Sequence, residues 1–86
     1  MSIEQLQQQL GECFHGSEDP MVKEAAATAN RYTDMVKSGE ISKDEYTELM
    51  IDIARTNDIN KNMANMQIME YMNTAINGLI NLAAFV

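Results

Sequence analysis

The chain has 86 residues, of which six are basic and 13 acidic, giving a formal net charge of −7. This length predicts one domain, whose core is marginal without a staple or a partner. The acidic balance argues against nucleic acid as a partner, because duplex binding draws its affinity from Lys and Arg side chains on phosphates. The lone cysteine, Cys13, cannot form an internal disulfide and favours a reducing, cytoplasmic compartment.

Neither a secretory signal nor a membrane-spanning helix is expected. The first residues carry no basic flank and no apolar core of the kind that signal peptides have. The longest mainly apolar run, residues 75–86, falls well short of the roughly 20 residues that span a bilayer, and it contains Asn77 and Asn81.

The chain begins with a capping-box pattern, in which Ser2 is followed three residues later by Gln5. Apolar residues then recur at helical spacing, which predicts an amphipathic helix. Gly11 and Gly16 are expected to interrupt this helix. Residues 1–18 are therefore predicted to form a short helix followed by a loop.

A second helix is predicted over residues 20–38. Asp19 before Pro20 is typical of a helix N-terminus, and Gly39 suits the position after the last helical residue. One apolar stripe of this helix is expected to face the core. It consists of Met21, Val22, Ala25, Ala29, Tyr32, Met35 and Val36.

A third helix is predicted over residues 42–56, because Ser42 and Glu45 form another capping box. The polar run from Thr56 to Asp58 predicts a break or kink, with Asp58 capping the final helix. One continuous helix through this run is the alternative. The apolar face of the third helix consists of Tyr46, Leu49, Met50 and Ile53.

Residues 59–86 contain no proline and few charges, and they predict one long C-terminal helix of roughly 40 Å. The fold class is therefore all-α, a small bundle of three to four helices. The last turns are apolar nearly all round the axis, more than the other helices are expected to cover. Several apolar positions also follow the heptad spacing that two helices share. The candidate oligomerisation interface consists of Met69, Met72, Ile76, Leu79, Ile80, Leu82, Ala83, Phe85 and Val86.

Two further patterns in this segment each allow two interpretations. The methionines at 63, 66, 69 and 72 suit either a core or an adaptable recognition surface, and a core is the favoured interpretation. The asparagines at 73, 77 and 81 are expected to form a solvated face, whereas buried asparagines would specify register in a multimer.

Residues 31–53 read RYTDMVKSGEISKDEYTELMIDI. A helix that ends in a polar-Gly-x-Ile-Ser turn, followed by a helix that opens with acids and an aromatic residue, resembles the helical hairpin of SHOCT-type segments. The resemblance implies an oligomerisation or interaction element. Tyr32 and Met35 depart from it, since that pattern has leucines there. The matching positions are Gly39, Ile41, Ser42, Glu45, Tyr46 and Leu49.

Chemistry-bearing clusters are sparse, so no catalytic residue, cofactor or metal is predicted. Cys13 and His15 are too few for a closed zinc site, which takes four ligands. The run from Asp58 to Asn62 resembles the opening of a calcium loop. Met63 and Met69 stand, however, where that loop needs its glycine and its bidentate glutamate.

These observations predict a non-enzymatic helical interaction or assembly protein that forms a homo-oligomer or joins a larger protein assembly. Small size and a composition rich in Asn and Met fit a phage or viral accessory protein, in the host cytoplasm or the virion. One alternative is peripheral membrane association through residues 75–86, although that segment lacks the Lys and Arg typical of interfacial helices. Another is an acidic inhibitor of a nucleic-acid-binding protein.

Overall fold

The computed structural model describes residues 2–83, which confirm the all-α prediction. The four helices are α1 (Ile3–Gly16), α2 (Pro20–Ser38), α3 (Lys43–Asn60) and α4 (Met66–Ala83). Each helix packs against the next one in the chain, and α4 also packs against α1. The result is a closed bundle measuring 36 × 22 × 18 Å.

The predicted helix N-termini are present. Ser2 and Ser42 each accept a hydrogen bond from a backbone N–H three residues later and take part in reciprocal capping boxes. The Asp19 carboxylate accepts from the Met21 N–H at 2.9 Å. At the end of α2, Gly39 has a φ of 82°, a left-handed conformation that glycine adopts without steric cost.

Helix α1 is longer than predicted, because it continues through Gly11 to Gly16 where a loop was expected. Leu10 and Cys13, on either side of Gly11, are fully buried in the core. Burying such side chains contributes about 1–3 kcal/mol each. That outweighs the helical cost of one glycine, about 1 kcal/mol. The helix therefore ends only where its buried face ends.

The break before the last helix also lies elsewhere than predicted. Helix α3 runs through Thr56 and Asp58 to Asn60, and the chain turns at residues 61–65. Neither a helix start at Ile59 nor one continuous helix to the C-terminus is correct. Asn57 explains the difference, because its buried side chain donates to the Sδ of Met72 at 3.2 Å and to the Oδ1 of Asn73 at 2.9 Å. These contacts with α4 stabilise the helical conformation around Asn57, so that α3 continues past it.

The core lies along the bundle axis, and α4 contributes to it more than any other described helix. Gly78 of α4 faces Leu6 of α1, and a Cβ added at Gly78 would lie 3.0 Å from Leu6 Cδ1. The missing side chain therefore lets α1 approach α4 closely. The buried apolar residues are Leu6, Leu10, Cys13, Val22, Ala26, Ala29, Tyr46, Met50, Met69, Met72, Ala75, Ile76, Leu79 and Ala83.

Helices α2 and α3 share a buried polar contact within this core. The hydroxyls of Thr33 and Tyr46 lie 2.7 Å apart, and Thr33 Oγ1 also donates to the Ala29 carbonyl at 2.8 Å. Burial raises the pKa of Tyr46. A hydroxyl pair in an apolar surrounding fixes the register of the α2–α3 hairpin, because a slip leaves the buried Tyr46 hydroxyl without this partner.

Candidate docking site

The face predicted for self-association lies mostly inside this chain. Met69, Met72, Ile76, Leu79 and Ala83 are at most 4% exposed, packed against other helices of the same chain. The last turns of the helix were expected to stay uncovered, and for Ala83 that expectation is wrong. The reason is that α1 extends further than predicted and covers one flank of α4, while α3 covers the other. Ile80 and Leu82 are partly buried, and Phe85 and Val86 lie outside the described residues.

Exposed apolar surface is instead concentrated at one end of the bundle, called here the methionine end. Met21, Ile59, Met63 and Met66 are 53, 82, 96 and 43% exposed. Antiparallel packing of the α2–α3 hairpin brings the start of α2 to the end of α3, and α4 starts just beyond the turn. The four methionines predicted as one core stripe therefore differ in burial. Met63 and Met66 face solvent, whereas Met69 and Met72 are buried.

Asparagines hold the methionine end in place. The Asn62 side chain accepts from the Ala64 and Asn65 N–H groups at 2.8 and 3.0 Å, while Asn65 Oδ1 accepts from the Asn62 N–H at 2.8 Å. The buried Asn65 amide also donates to Asp19 Oδ2 at 2.9 Å. This bond ties the turn before α4 to the start of α2, and it lowers the pKa of Asp19, with a smaller contribution from the Met21 N–H.

A groove of about 400 Å³ runs from the methionine end between α2 and α3. Met21 and Asn60 lie at its open end and Tyr32 and Leu49 at the other, a distance of about 11 helical residues or roughly 17 Å. Its apolar lining is half-buried or exposed. The lining residues are Met21, Glu24, Ala25, Thr28, Tyr32, Leu49, Asp52, Ile53, Thr56, Asn57 and Asn60.

The groove exists because the apolar stripes of α2 and α3 are wider than the bundle covers. On α2 the fully buried line passes through Val22, Ala26 and Ala29, which leaves Met21 and Tyr32 beside it. These two residues were predicted to face the core together with the others. The sequence therefore indicated that each apolar stripe is wide. It did not indicate which side of the stripe a neighbouring helix covers and which side faces solvent.

Polar side chains beneath the groove form hydrogen bonds with other residues of the same chain. Asn57 is 1% exposed and bonds across to α4. Asn73 donates to the Ala54 carbonyl and to Asp58 Oδ1, both at 3.2 Å. Asn73 was predicted on a solvated face, which holds for the exposed Asn77 and Asn81 but not for Asn73 itself. These bonds link α3 to α4 and support the groove from below.

Cys13 lies at a second, open cleft between α1 and α4, beside Ile68 and Tyr71. The Tyr71 hydroxyl donates to Glu12 Oε2 at 3.3 Å across the cleft. Burial, and then the Glu12 carboxylate, raise the pKa of the Cys13 thiol from 9.0 to about 11. No group of three or more His, Cys, Asp or Glu side chains suited to a metal ion occurs among residues 2–83.

We expect the Cys13 thiol to react with iodoacetamide at pH 8 about a hundredfold more slowly than in the urea-unfolded chain. A pKa near 11 leaves about a hundredfold less thiolate, the reactive form, and the side chain is only 1% exposed. Because this pKa is raised in the folded state, its contribution to stability is complete below pH 9 and is lost as the pH rises toward 11. Alkylation followed by mass spectrometry measures the rate, and equal rates in both states would contradict the burial.

No family model matches the chain, and no match was found among curated proteins or solved structures. The likeness of residues 31–53 to SHOCT-type segments therefore stays a prediction. Within the described residues, no helix has the length and apolarity that crossing a membrane requires.

Proposed function

We propose that this protein is a non-enzymatic interaction module, and that the groove together with the methionine end is its docking site for a protein partner. The observation that carries the proposal is that Met21, one of the four exposed apolar side chains of the methionine end, also lines the groove of half-covered apolar residues. Contiguous exposed apolar surface of this kind is typical of interaction sites. Small size and the asparagine- and methionine-rich composition suit an accessory role in a larger assembly, such as one of phage or viral origin.

The side chains at this site suit a docking role. Methionine is unbranched and polarisable, so Met21, Met63 and Met66 can adapt to an incoming apolar surface. Tyr32 and Leu49 offer larger anchors at the far end of the groove. The groove is also formed by the α2–α3 hairpin, the same element whose resemblance to SHOCT-type segments implies an interaction role.

Nuclear magnetic resonance of methionine methyl groups tests the proposal, because the chain carries eight methionines in different places. The probe is a synthetic helical peptide of about three turns, with a leucine stripe and otherwise uncharged Gln and Ser residues. We expect the Met21 and Met63 methyl signals to shift or broaden during the titration. Met35, at the other end of α2, is the internal control and should not respond.

Two outcomes would contradict docking at this site. One is the absence of any methyl response up to millimolar peptide, and the other is an equal response of Met35. A Met21→Ser, Leu49→Ser double variant should lose the response of the Met63 methyl signal. An Ala27→Ser, Asn77→Ser variant, altered at exposed positions outside the groove, should keep it.

A further inference from the structure

We infer that the occupant of the groove is a cationic amphipathic helix, with an apolar stripe bordered on both sides by Lys or Arg. This inference rests on the proposed docking function and specifies the chemistry of the partner. It follows from the charges on the two walls of the groove, from its length, and from the helical nature of those walls.

Each wall carries an exposed carboxylate, Glu24 on α2 and Asp52 on α3. Neither forms an ion pair with any residue of the described part of the chain, and no basic residue is found among the described lining residues. Arg55 lies one turn beyond Asp52 on the same helix, and the two residues border a separate depression outside the groove. An occupant therefore meets one exposed carboxylate on each side of its apolar stripe.

The two acids are also staggered along the groove. Glu24 is four residues from the start of α2, and Asp52 is eight residues from the end of the antiparallel α3. Their positions along the groove thus differ by roughly 6 Å, about one helical turn. Cations on opposite borders of a helical apolar stripe, one turn apart, would each lie near one of these carboxylates.

A helix fits this groove better than an extended strand. Both walls are helices whose backbone groups are bonded internally, so no sheet edge is available for strand addition. A groove of roughly 17 Å accommodates about three helical turns, whose apolar side chains would enter between Ala25, Tyr32 and Ile53.

Charge complementarity favours this partner over the other possible occupants. A second copy of the chain would bring a net charge of −7 against the same acidic walls. An anionic lipid surface would be repelled by Glu24 and Asp52 in the same way. A basic partner is drawn to the site at long range and also neutralises both walls.

Fluorescence anisotropy with three labelled peptides tests this inference. All three share one leucine stripe over about 14 residues, and their border positions are Lys, Gln or Glu. We expect the unaltered chain to bind the Lys-bordered peptide about tenfold more tightly than the Gln-bordered peptide, and the Glu-bordered peptide least tightly. Added salt should reduce the preference for the Lys-bordered peptide over the Gln-bordered peptide.

The matched variants reverse charge at two places. In Glu24→Lys, Asp52→Lys we expect about a tenfold loss of affinity for the Lys-bordered peptide and a gain for the Glu-bordered peptide. The control, Glu40→Lys, Asp44→Lys, makes the same change of net charge near the α2–α3 turn, away from the groove. It should change these affinities less than about threefold. Circular dichroism establishes that both variants are folded.

Failure of the inference differs from failure of the proposed function. One outcome is that the Lys- and Gln-bordered peptides bind with equal affinity and that neither binds Met21→Ser, Leu49→Ser. Docking at the groove then stands, and the charge inference is overturned. If no peptide binds, docking itself fails. A dimer that this serine variant dissociates would identify a second copy as the occupant. Binding to anionic lipid vesicles that is lost in the same serine variant would identify a membrane as the occupant. Either of the last two results overturns the cationic-helix inference.

Discussion

Replacing Leu79 by alanine is expected to lower the free energy of unfolding by about 3 kcal/mol. The side chain is 1% exposed and packs in the core of a single chain. The loss should be the same over about a hundredfold range of protein concentration, because an internal contact does not depend on mass action. Urea denaturation followed by circular dichroism measures it. This is the most direct test of whether the apolar stripe of α4 is internal.

The neighbouring Ile80 supplies a matched control. It is only partly buried, so Ile80→Ala should cost about 1 kcal/mol. A Leu79→Ala loss that shrinks on dilution, together with an unfolding midpoint that depends on concentration in the unaltered chain, would show that this stripe is buried between chains instead. Light scattering of the intact protein should correspondingly give the mass of one chain at tens of micromolar.

Replacing Asn65 by alanine is expected to cost about 2 kcal/mol. The change removes the partly buried bonds of the Asn65 side chain with the Asn62 N–H and with Asp19. Because the Asn65 bond is the main cause of the low pKa of Asp19, that pKa should rise toward its usual value of 3.8 in the variant. Carboxyl carbon chemical shifts, followed by nuclear magnetic resonance against pH, measure it.

The direction of the acid dependence follows from that pKa. A carboxyl group whose pKa is lowered by folding stabilises the folded state above its usual pKa, and this contribution is lost as the pH falls through the lowered value. The variant should therefore lose less stability on acidification below about pH 4 than the unaltered chain. Asn77→Ala, at an exposed position on α4, should change stability by less than about 0.5 kcal/mol. An unchanged Asp19 pKa in Asn65→Ala would contradict the bond.

Local signals in the sequence determined where the first three helices begin and where α2 ends. Capping boxes at Ser2 and Ser42, Asp19 before Pro20, and Gly39 after α2 all act within one turn, so they can be recognised without knowledge of the fold. Helical periodicity without any period-two pattern likewise determined the all-α class.

Helix continuity depended on tertiary contacts instead. Gly11 and Asn57 both favour a helix end by local preference, but each lies inside a helix because neighbouring side chains are buried or bonded to another helix. The turn before α4 also depends on a tertiary contact. Asn62 and Asn65 bond to each other three residues apart, and Asn65 in addition bonds to Asp19 at the distant start of α2.

The candidate site depended on tertiary structure most of all. The sequence by itself determined that the chain has more apolar surface than a small bundle easily covers, and that it is acidic. It did not determine which part of this apolar surface stays exposed. Periodicity gives the width of an apolar stripe on a helix, but it does not identify the neighbouring helices that cover the stripe. Within the segment where the surplus was expected, packing buried Ala75, Ile76, Leu79 and Ala83. It left the groove between α2 and α3, bordered by Glu24 and Asp52, facing solvent.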